Sequence, residues 1–210
     1  MNLNNNPTLI ILAGGKSSRM KTPKGLLPYK NSYWILAQID AFKTGETVFI
    51  GLGFDTQLYI DAIPWLKDAI KEAHVYNGKK IRVVINSTPE FGSFSTLQTV
   101  LRGIDKASIP NDVLILPIDI PLLKAPEVKK ISSEENEVVI PNYRQKNGHP
   151  VKLAIGFWKN LLEINPQDQN ARLDVQIKKL ASTAISIINV DDKNCIQNLN
   201  TPENWEAFIS

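Results

Sequence analysis

The chain has 210 residues, of which 43% are hydrophobic and 21% are charged, proportions typical of folded globular proteins and unlike those of disordered chains. A net charge of +3 is too small to indicate a nucleic-acid-binding surface, so we expect no nucleic-acid partner. The single cysteine excludes an internal disulfide and a cysteine-based zinc site, and two histidines leave little material for a histidine-rich metal site.

Short apolar runs alternate with amphipathic stretches along the chain. The apolar runs predict strands, and apolar residues three or four positions apart predict helices. Pro64 divides one helical stretch into two short helices. In chain order, the predicted strands are 8–12, 47–50, 81–85, 113–116, 138–140, 151–154 and 185–190. The predicted helices are 33–44, two within 56–73, 95–107, 127–132, 157–164, 171–181 and 202–209.

This alternation indicates an α/β protein with three layers, α/β/α, around a mainly parallel, Rossmann-like sheet. No Pro/Gly-rich linker divides the chain, so we expect one domain over residues 1–210, with residues 1–7 flexible. The sequence lacks an apolar run of roughly 20 residues and a secretory signal, which predicts a cytoplasmic protein without a membrane partner. Ligands of such folds bind at the carboxyl ends of the strands.

A basic, glycine-rich loop follows the first predicted strand. Its glycine pair, Gly14–Gly15, permits close approach of the backbone to a ligand, and loop amides can bind phosphate. Four cations follow within nine residues, as a polyphosphate ligand requires: Lys16, Arg19, Lys21 and Lys24. The alternative is a solvated basic loop without a ligand. The pair of glycines in Gly51–Gly53, after the second strand, is interpreted as structural.

Asp119 follows the fourth predicted strand and lies between Pro117 and Pro121, which hold its backbone stiffly. A carboxylate at a strand end suits Mg²⁺, which binds one or two protein carboxylates together with phosphate oxygens of the substrate. The alternative is that Asp119 only caps the next turn.

The pattern L-A-G-G-x-S-x-R-M at residues 12–20, followed by K-G-L-L at residues 24–27, resembles the signature of the molybdopterin nucleotidyltransferases. These guanylyl- and cytidylyltransferases have the nucleotide-diphospho-sugar transferase fold. The resemblance implies catalytic roles for Arg19, Lys24 and Asp119, and Mg²⁺ bound by Asp119 and Asn200. It also implies a nucleotide site formed by Leu12, Ala13, Gly14, Gly15, Lys16, Arg19, Lys24 and Asn86.

Three further segments resemble parts of this family. The segment 197–204 resembles N-x-N-T-P-E-x, in which Asn200 would join Asp119, while a site role for Asn198 stays open. The segment 147–151 resembles a G-H-P-V motif near the acceptor, which suggests His149. Arg172 matches an acceptor-phosphate arginine, although Asn170 replaces the usual glycine of that motif.

The resemblance implies a magnesium-dependent enzyme that moves a nucleoside monophosphate from CTP or GTP to a phosphate-bearing acceptor, molybdopterin, and releases pyrophosphate. Molybdoenzyme-maturation proteins would then be its partners. Features of both branches are present, and we expect a slight preference for CTP. The alternatives are a sugar- or alditol-phosphate acceptor and a nucleotide-binding module that has lost catalysis. The segment 54–80 receives no role from the sequence.

Overall fold

The computed structural model describes residues 6–108 and 111–210. The strands of this part of the chain are β1 (Thr8–Ala13), β2 (Pro28–Tyr29), β3 (Ser32–Tyr33), β4 (Thr47–Leu52), β5 (His74–Tyr76), β6 (Lys79–Ile85), β7 (Val113–Pro117), β8 (Val138–Tyr143), β9 (Lys146–Asn147), β10 (Val151–Leu153) and β11 (Ile185–Asn189). The helices are α1 (Trp34–Ala41), α2 (Thr56–Ala62), α3 (Leu66–Lys71), α4 (Ser93–Lys106), α5 (Ala125–Ser133), α6 (Ile155–Asn160), α7 (Leu173–Ile177) and α8 (Pro202–Ile209).

Nine strands form one sheet in the order β11-β8-β10-β7-β1-β4-β6-β5, with β9 paired to β8. The pairs β1–β4, β1–β7, β4–β6 and β8–β11 are parallel, whereas β5, β9 and β10 run antiparallel to their neighbours. Since β10 pairs antiparallel with both β7 and β8, those two strands run in the same direction. The carboxyl ends of β1, β4, β6, β7, β8 and β11 therefore meet at one edge, which we call the carboxyl edge.

Two apolar clusters, one on each face of the sheet, form the core. In β1, Leu9 and Ile11 belong to one cluster and Ile10 to the other, as the alternation of strand side chains requires. Helices α1, α2, α3, α5 and α8 contribute buried side chains to the first cluster, and α4, α6 and α7 to the second. The three-layer α/β/α arrangement with a mainly parallel sheet is thus confirmed.

Several elements differ from the predictions. Helix α4 begins at Ser93, two residues early, and α7 covers only 173–177 of the predicted 171–181. Strand β5, which the apolar pattern did not predict, pairs with β6 through a turn at Asn77–Gly78, where both residues have positive φ (46° and 76°). Asn-Gly is a strong hairpin signal, so the sequence did contain the information for this turn.

The two ends of the chain bear on other expectations. The predicted flexible segment 1–7 falls mostly on residues 1–5, which lie outside the described residues, and Pro7 is buried. At the other end, the hydroxyl of Thr201 accepts a hydrogen bond from the backbone N–H of Asn204, so Thr201 is the N-cap of α8. Among the described helices, none is long and apolar enough to cross a membrane.

Candidate active site

Side chains of α1 hold the turn at residues 118–122, which follows β7 at the carboxyl edge. The indole Nε1 of Trp34 donates to the carbonyl of Ile118 at 2.7 Å. The amide of Gln38, whose residue is only 2% exposed, donates to the carbonyl of Ile120 at 2.7 Å and accepts from the N–H of Leu122 at 3.0 Å. Sequence reasoning missed both residues, because the carbonyls that they bind lie 84 and 82 positions away along the chain.

A second contact ties the same turn to the end of the chain. The N–H of Leu199, which is buried, donates to the backbone carbonyl of Asp119 at 2.8 Å. This bond places the neighbouring residue, Asn200, beside the Asp119 side chain. Asn198 is exposed, and its amide donates to the carbonyl of Ile196 at 3.3 Å. The structure therefore brings Asn200 to the predicted site, whereas the Asn198 side chain is engaged with its own loop.

Lys24 completes a group of three polar side chains. Its Nζ lies 3.0 Å from Oδ2 of Asp119 and 2.5 Å from Oδ1 of Asn200, and it donates to both. The Lys24 and Asp119 side chains are only 13% and 21% exposed, so this ion pair is partly shielded from water. Three residues that the sequence assigned to one site are thus in direct contact, with the ammonium between the two oxygens.

The backbone around Lys24 is held on both sides. The N–H of Lys24 donates to the hydroxyl of Ser17 at 3.1 Å, and the N–H of Gly25 donates to the hydroxyl of Tyr59 at 3.1 Å. Tyr59 lies on α2 and is 2% exposed. A Cβ at Gly25 would lie 2.6 Å from that hydroxyl, so only glycine has room there. The segment 54–80, which had no predicted role, therefore supports the loop through Tyr59.

The two glycines at the end of β1 differ in their surroundings. A Cβ at Gly14 would lie 2.7 Å from the hydroxyl oxygen of Thr96, and a Cβ at Gly53 would lie 2.5 Å from the Gly14 carbonyl. The same carbonyl accepts from the N–H of Phe54 at 3.3 Å. Gly14 and Gly53 are thus required by close packing inside the protein. A Cβ at Gly15 would meet nothing within 4 Å, so open space remains beside it.

The remaining cations of the glycine-rich loop are exposed. The Nζ of Lys16 lies 4.5 Å from the ring centroid of Phe54, and the side chains of Arg19 and Lys21 extend into solvent. Ser17 and Lys21 have φ values of 48° and 55°, in the left-handed region that non-glycine residues rarely occupy. Such backbone conformations are concentrated at functional sites. The loop is therefore a strained segment that presents positive charge at the carboxyl edge.

Asn86 has its hydrogen bonds inside the protein. Its Nδ2 donates to the hydroxyls of Ser95 at 2.8 Å and Thr96 at 3.0 Å, and its Oδ1 accepts from the N–H of Thr88 at 3.0 Å. The side chain is buried and joins the end of β6 to the first turn of α4. These bonds fit a positioning role for Asn86, and its direct contact with a nucleotide stays a prediction.

His149 lies two residues before β10, close enough to Asp119 for the charge of that carboxylate to act on it. Its N–H donates to the carbonyl of Cys195 at 2.8 Å, and the preceding Gly148 has no space for a Cβ against that same carbonyl. Burial lowers the pKa of His149 to about 4, while the negative charge of Asp119 acts in the opposite direction. The imidazole is therefore neutral at pH 7.

Three other predicted residues have simple surroundings. Leu12 and Ala13 end β1, and the Leu12 carbonyl accepts from the N–H of Ile118 at 3.0 Å. The Arg172 side chain is 68% exposed and makes a two-bond ion pair with Asp174, at 3.0 and 3.2 Å. Through these bonds Arg172 lowers the pKa of Asp174. Leu12 and Ala13 are thus at the predicted edge, and the binding of an acceptor by Arg172 stays a prediction.

Residues 9–181 match the family model described as the MobA-like NTP transferase domain. The chain belongs to this family. It is therefore a nucleotidyltransferase, as the sequence signature predicted. Among curated protein sequences, no significant match to the chain is found.

Solved structures share the fold at low sequence identity. A nucleotidyl transferase from Methanothermobacter is 16% identical, with 97% of this chain and 96% of that chain covered and a TM-score of 0.71. Molybdopterin-guanine dinucleotide biosynthesis protein A from Archaeoglobus fulgidus is 15% identical, with 95% of both chains covered and a TM-score of 0.65. Rv0371c from Mycobacterium tuberculosis, in complex with manganese, is 16% identical, with 97% and 98% covered and a TM-score of 0.66.

The bond between Tyr59 and Gly25 can be tested by Tyr59→Phe, which removes the hydroxyl and keeps the ring. The variant leaves the Gly25 N–H buried without its acceptor, so we expect the free energy of unfolding to fall by about 1–3 kcal/mol. Urea denaturation measures this change. Tyr33→Phe, at a half-buried position, is the control and should change stability by less than about 0.5 kcal/mol. Equal stabilities for Tyr59→Phe and the unmodified protein would contradict the assigned role.

The pKa of His149 predicts how stability depends on pH. An unfolded histidine binds a proton near pH 6.5, whereas the folded protein resists protonation of His149 down to about pH 4. Stability from this residue is therefore present above pH 6.5 and is lost as the pH falls toward 4, by on the order of 3 kcal/mol. His149→Asn should reduce the slope of unfolding free energy against pH in this range.

The matched control is His74→Asn, because His74 is the other histidine and stacks on Trp65. Denaturation of both variants at a series of pH values between 7 and 4 separates the contribution of His149 from the loss of a histidine in general. An unchanged slope in His149→Asn would show that His149 titrates normally.

Proposed function

We propose that this nucleotidyltransferase moves a nucleoside monophosphate from a nucleoside triphosphate to the phosphate of a small acceptor, with molybdopterin as that acceptor and Mg²⁺ as the metal. The observation that carries the proposal is the contact of Lys24 with Asp119 and Asn200 beside an exposed basic loop. The similarity to a protein of molybdopterin-guanine dinucleotide biosynthesis supports the choice of acceptor.

The reaction brings two anions together. An oxygen of the acceptor phosphate attacks the α-phosphorus, a new P–O bond forms, and the bond to pyrophosphate breaks with its electron pair on the leaving group. Because the attacking oxygen is already ionised at neutral pH, the protein has to neutralise charge and align the reactants rather than remove a proton. The exposed cations Lys16 and Arg19, together with Lys24, are suited to the distal phosphates and to the leaving pyrophosphate.

The residues at the carboxyl edge suit a magnesium ion. A carboxylate oxygen of Asp119 and an amide oxygen of Asn200 converge on one ammonium, and both are the hard oxygen donors that Mg²⁺ prefers. Across residues 6–108 and 111–210, no group of three or more His, Cys, Asp or Glu side chains gathers around a point. A magnesium site that substrate phosphates complete needs only one or two protein ligands. When bound, the metal would offset phosphate charge and polarise the α-phosphate.

On the proposed acceptor side, the side chains that would contact the substrate are a histidine and an arginine rather than oxygen donors. His149 is neutral at pH 7 because burial lowers its pKa to about 4. A neutral imidazole can donate one hydrogen bond to the acceptor without taking up a proton from it. The proposal therefore assigns His149 to orientation of the acceptor. Arg172, with its exposed guanidinium, would be released from Asp174 to bind an acceptor phosphate.

The whole chain is proposed to act as one nucleotidyltransferase domain. The match to the family ends at residue 181, whereas Asn200 lies beyond it and still reaches Lys24. The N–H of Leu199 connects this later segment to the Asp119 carbonyl. The site therefore depends on both parts of the chain, which supports a single domain.

Pyrophosphate release tests the identity of the acceptor and the preferred nucleotide base in one assay. Purified protein with Mg²⁺, molybdopterin and each of the four ribonucleoside triphosphates should release pyrophosphate, with CTP slightly preferred. A sugar phosphate and an alditol phosphate serve as control acceptors. Faster turnover with either would favour the alternative acceptor, and a guanine preference above about tenfold, roughly 1.4 kcal/mol, would favour GTP.

Replacing Asp119 tests the chemistry of the site. Asp119→Asn keeps the size of the side chain and removes its negative charge, so the rate of pyrophosphate release should fall by well over about tenfold, or roughly 1.4 kcal/mol of barrier. Asp61→Asn, at an exposed position on α2, is the control and should keep the full rate. A rate for Asp119→Asn within tenfold of the unmodified protein would remove Asp119 from the catalytic machinery.

A further inference from the structure

We propose that the Lys24 ammonium and the divalent cation occupy the same position in turn, so that the nucleotide-free protein excludes the cation until a triphosphate draws Lys24 away. This inference rests on the proposed function, since it concerns the two oxygens assigned there to the metal. It gives Lys24 a second role, as an internal cation that neutralises the empty site.

Distances within the site put the two cations in competition for the same oxygens. The Nζ of Lys24 lies 3.0 Å from Oδ2 of Asp119 and 2.5 Å from Oδ1 of Asn200. Magnesium binds oxygen at about 2.0–2.1 Å. An ion bound to Asn200 would therefore lie less than about 5 Å from Nζ, whatever its direction, with both cations directed at the same lone pairs. In a partly shielded site, such like charges repel strongly.

Only the Lys24 side chain has to move for the exchange. Its backbone N–H is bonded to Ser17, and the next N–H is bonded to the buried hydroxyl of Tyr59. The side chain itself ends at a partly exposed position and has four rotatable carbon–carbon bonds. The clamped backbone thus keeps the ammonium within reach of both the Asp119 carboxylate and a phosphate bound at the neighbouring glycine-rich loop.

The charges explain why a triphosphate would release Lys24. In the empty site one ammonium faces one carboxylate and one neutral amide. A triphosphate at the loop carries several negative charges and attracts the ammonium more strongly than a single carboxylate does. Movement of Lys24 onto the phosphates uncovers the Asp119 and Asn200 oxygens. Nucleotide and cation binding are then positively coupled, and by thermodynamic linkage each increases the affinity for the other.

The experiment measures binding of Mn²⁺ to the nucleotide-free protein by the loss of the free-ion signal in electron paramagnetic resonance. Lys24→Met removes the ammonium and keeps the length of the side chain. We expect it to bind Mn²⁺ at least about tenfold more tightly than the unmodified protein, a difference of about 1.4 kcal/mol. Lys21→Met removes a positive charge from the same loop, at an exposed position. It should change the affinity by less than about twofold, about 0.4 kcal/mol.

Two further variants make the test independent of folding and of general charge effects. Lys24→Gln, which can still donate to Asp119, should also strengthen Mn²⁺ binding, and thermal melting reports whether either Lys24 variant is folded. Lys24→Met combined with Asp119→Asn should lose the gain, because the ion would lack its carboxylate. The proposal is overturned when neither folded Lys24 variant binds Mn²⁺ more tightly than Lys21→Met does, or when the gain survives the loss of Asp119.

The result is separate from the test of the proposed function, because no triphosphate is present and no turnover is measured. Pyrophosphate release without a gain in Mn²⁺ affinity in the Lys24 variants would leave the function standing and reject the exchange. A gain in Mn²⁺ affinity without pyrophosphate release from any triphosphate would support the exchange and reject the function.

Discussion

The ion pair between Lys24 and Asp119 is the contact on which the arrangement of the site depends. It joins residues 95 positions apart in sequence, and the additional bond to Asn200 spans 176 positions. These distant residues meet because β7 is the parallel neighbour of β1, so the segments after the two strands emerge side by side. The sheet order therefore determines the composition of the site, and the polar contacts then fix the distances within it.

The site consists of short polar groups that other parts of the protein hold by hydrogen bonds. Trp34 and Gln38 bind the carbonyls of the turn around Asp119, and Tyr59 and Ser17 bind the backbone at Lys24. Most of these supporting groups are buried, and a buried polar group without a partner is costly. The supporting bonds therefore restrict the positions of the loops. This explains why a site formed by loops can have fixed geometry.

The sequence predicted the parts of the protein that local chemistry determines. The alternation of apolar runs with amphipathic stretches predicted the three layers. The basic loop and Asp119 each follow a predicted strand, which indicated that both lie at the carboxyl edge of the sheet. Gln38 and Tyr59 could not be assigned, because their roles appear only when distant segments pack together. The turn at Asn77–Gly78 was missed for a different reason, since its signal was local and was not used. Short strands outside the apolar pattern also escaped prediction.

The charges at the carboxyl edge also suggest an order of events. Lys24 neutralises Asp119, so the positive charge that remains open to solvent lies on the loop side of the site, at Lys16, Arg19 and Lys21. The side of the site that the proposal gives to the acceptor presents a neutral imidazole at His149. We therefore expect a polyanion, such as the triphosphate of the proposed reaction, to be attracted first to the loop. In the proposed reaction the acceptor would meet His149 and Arg172 rather than the basic loop, so its binding would depend on short contacts that form once the nucleotide is in place.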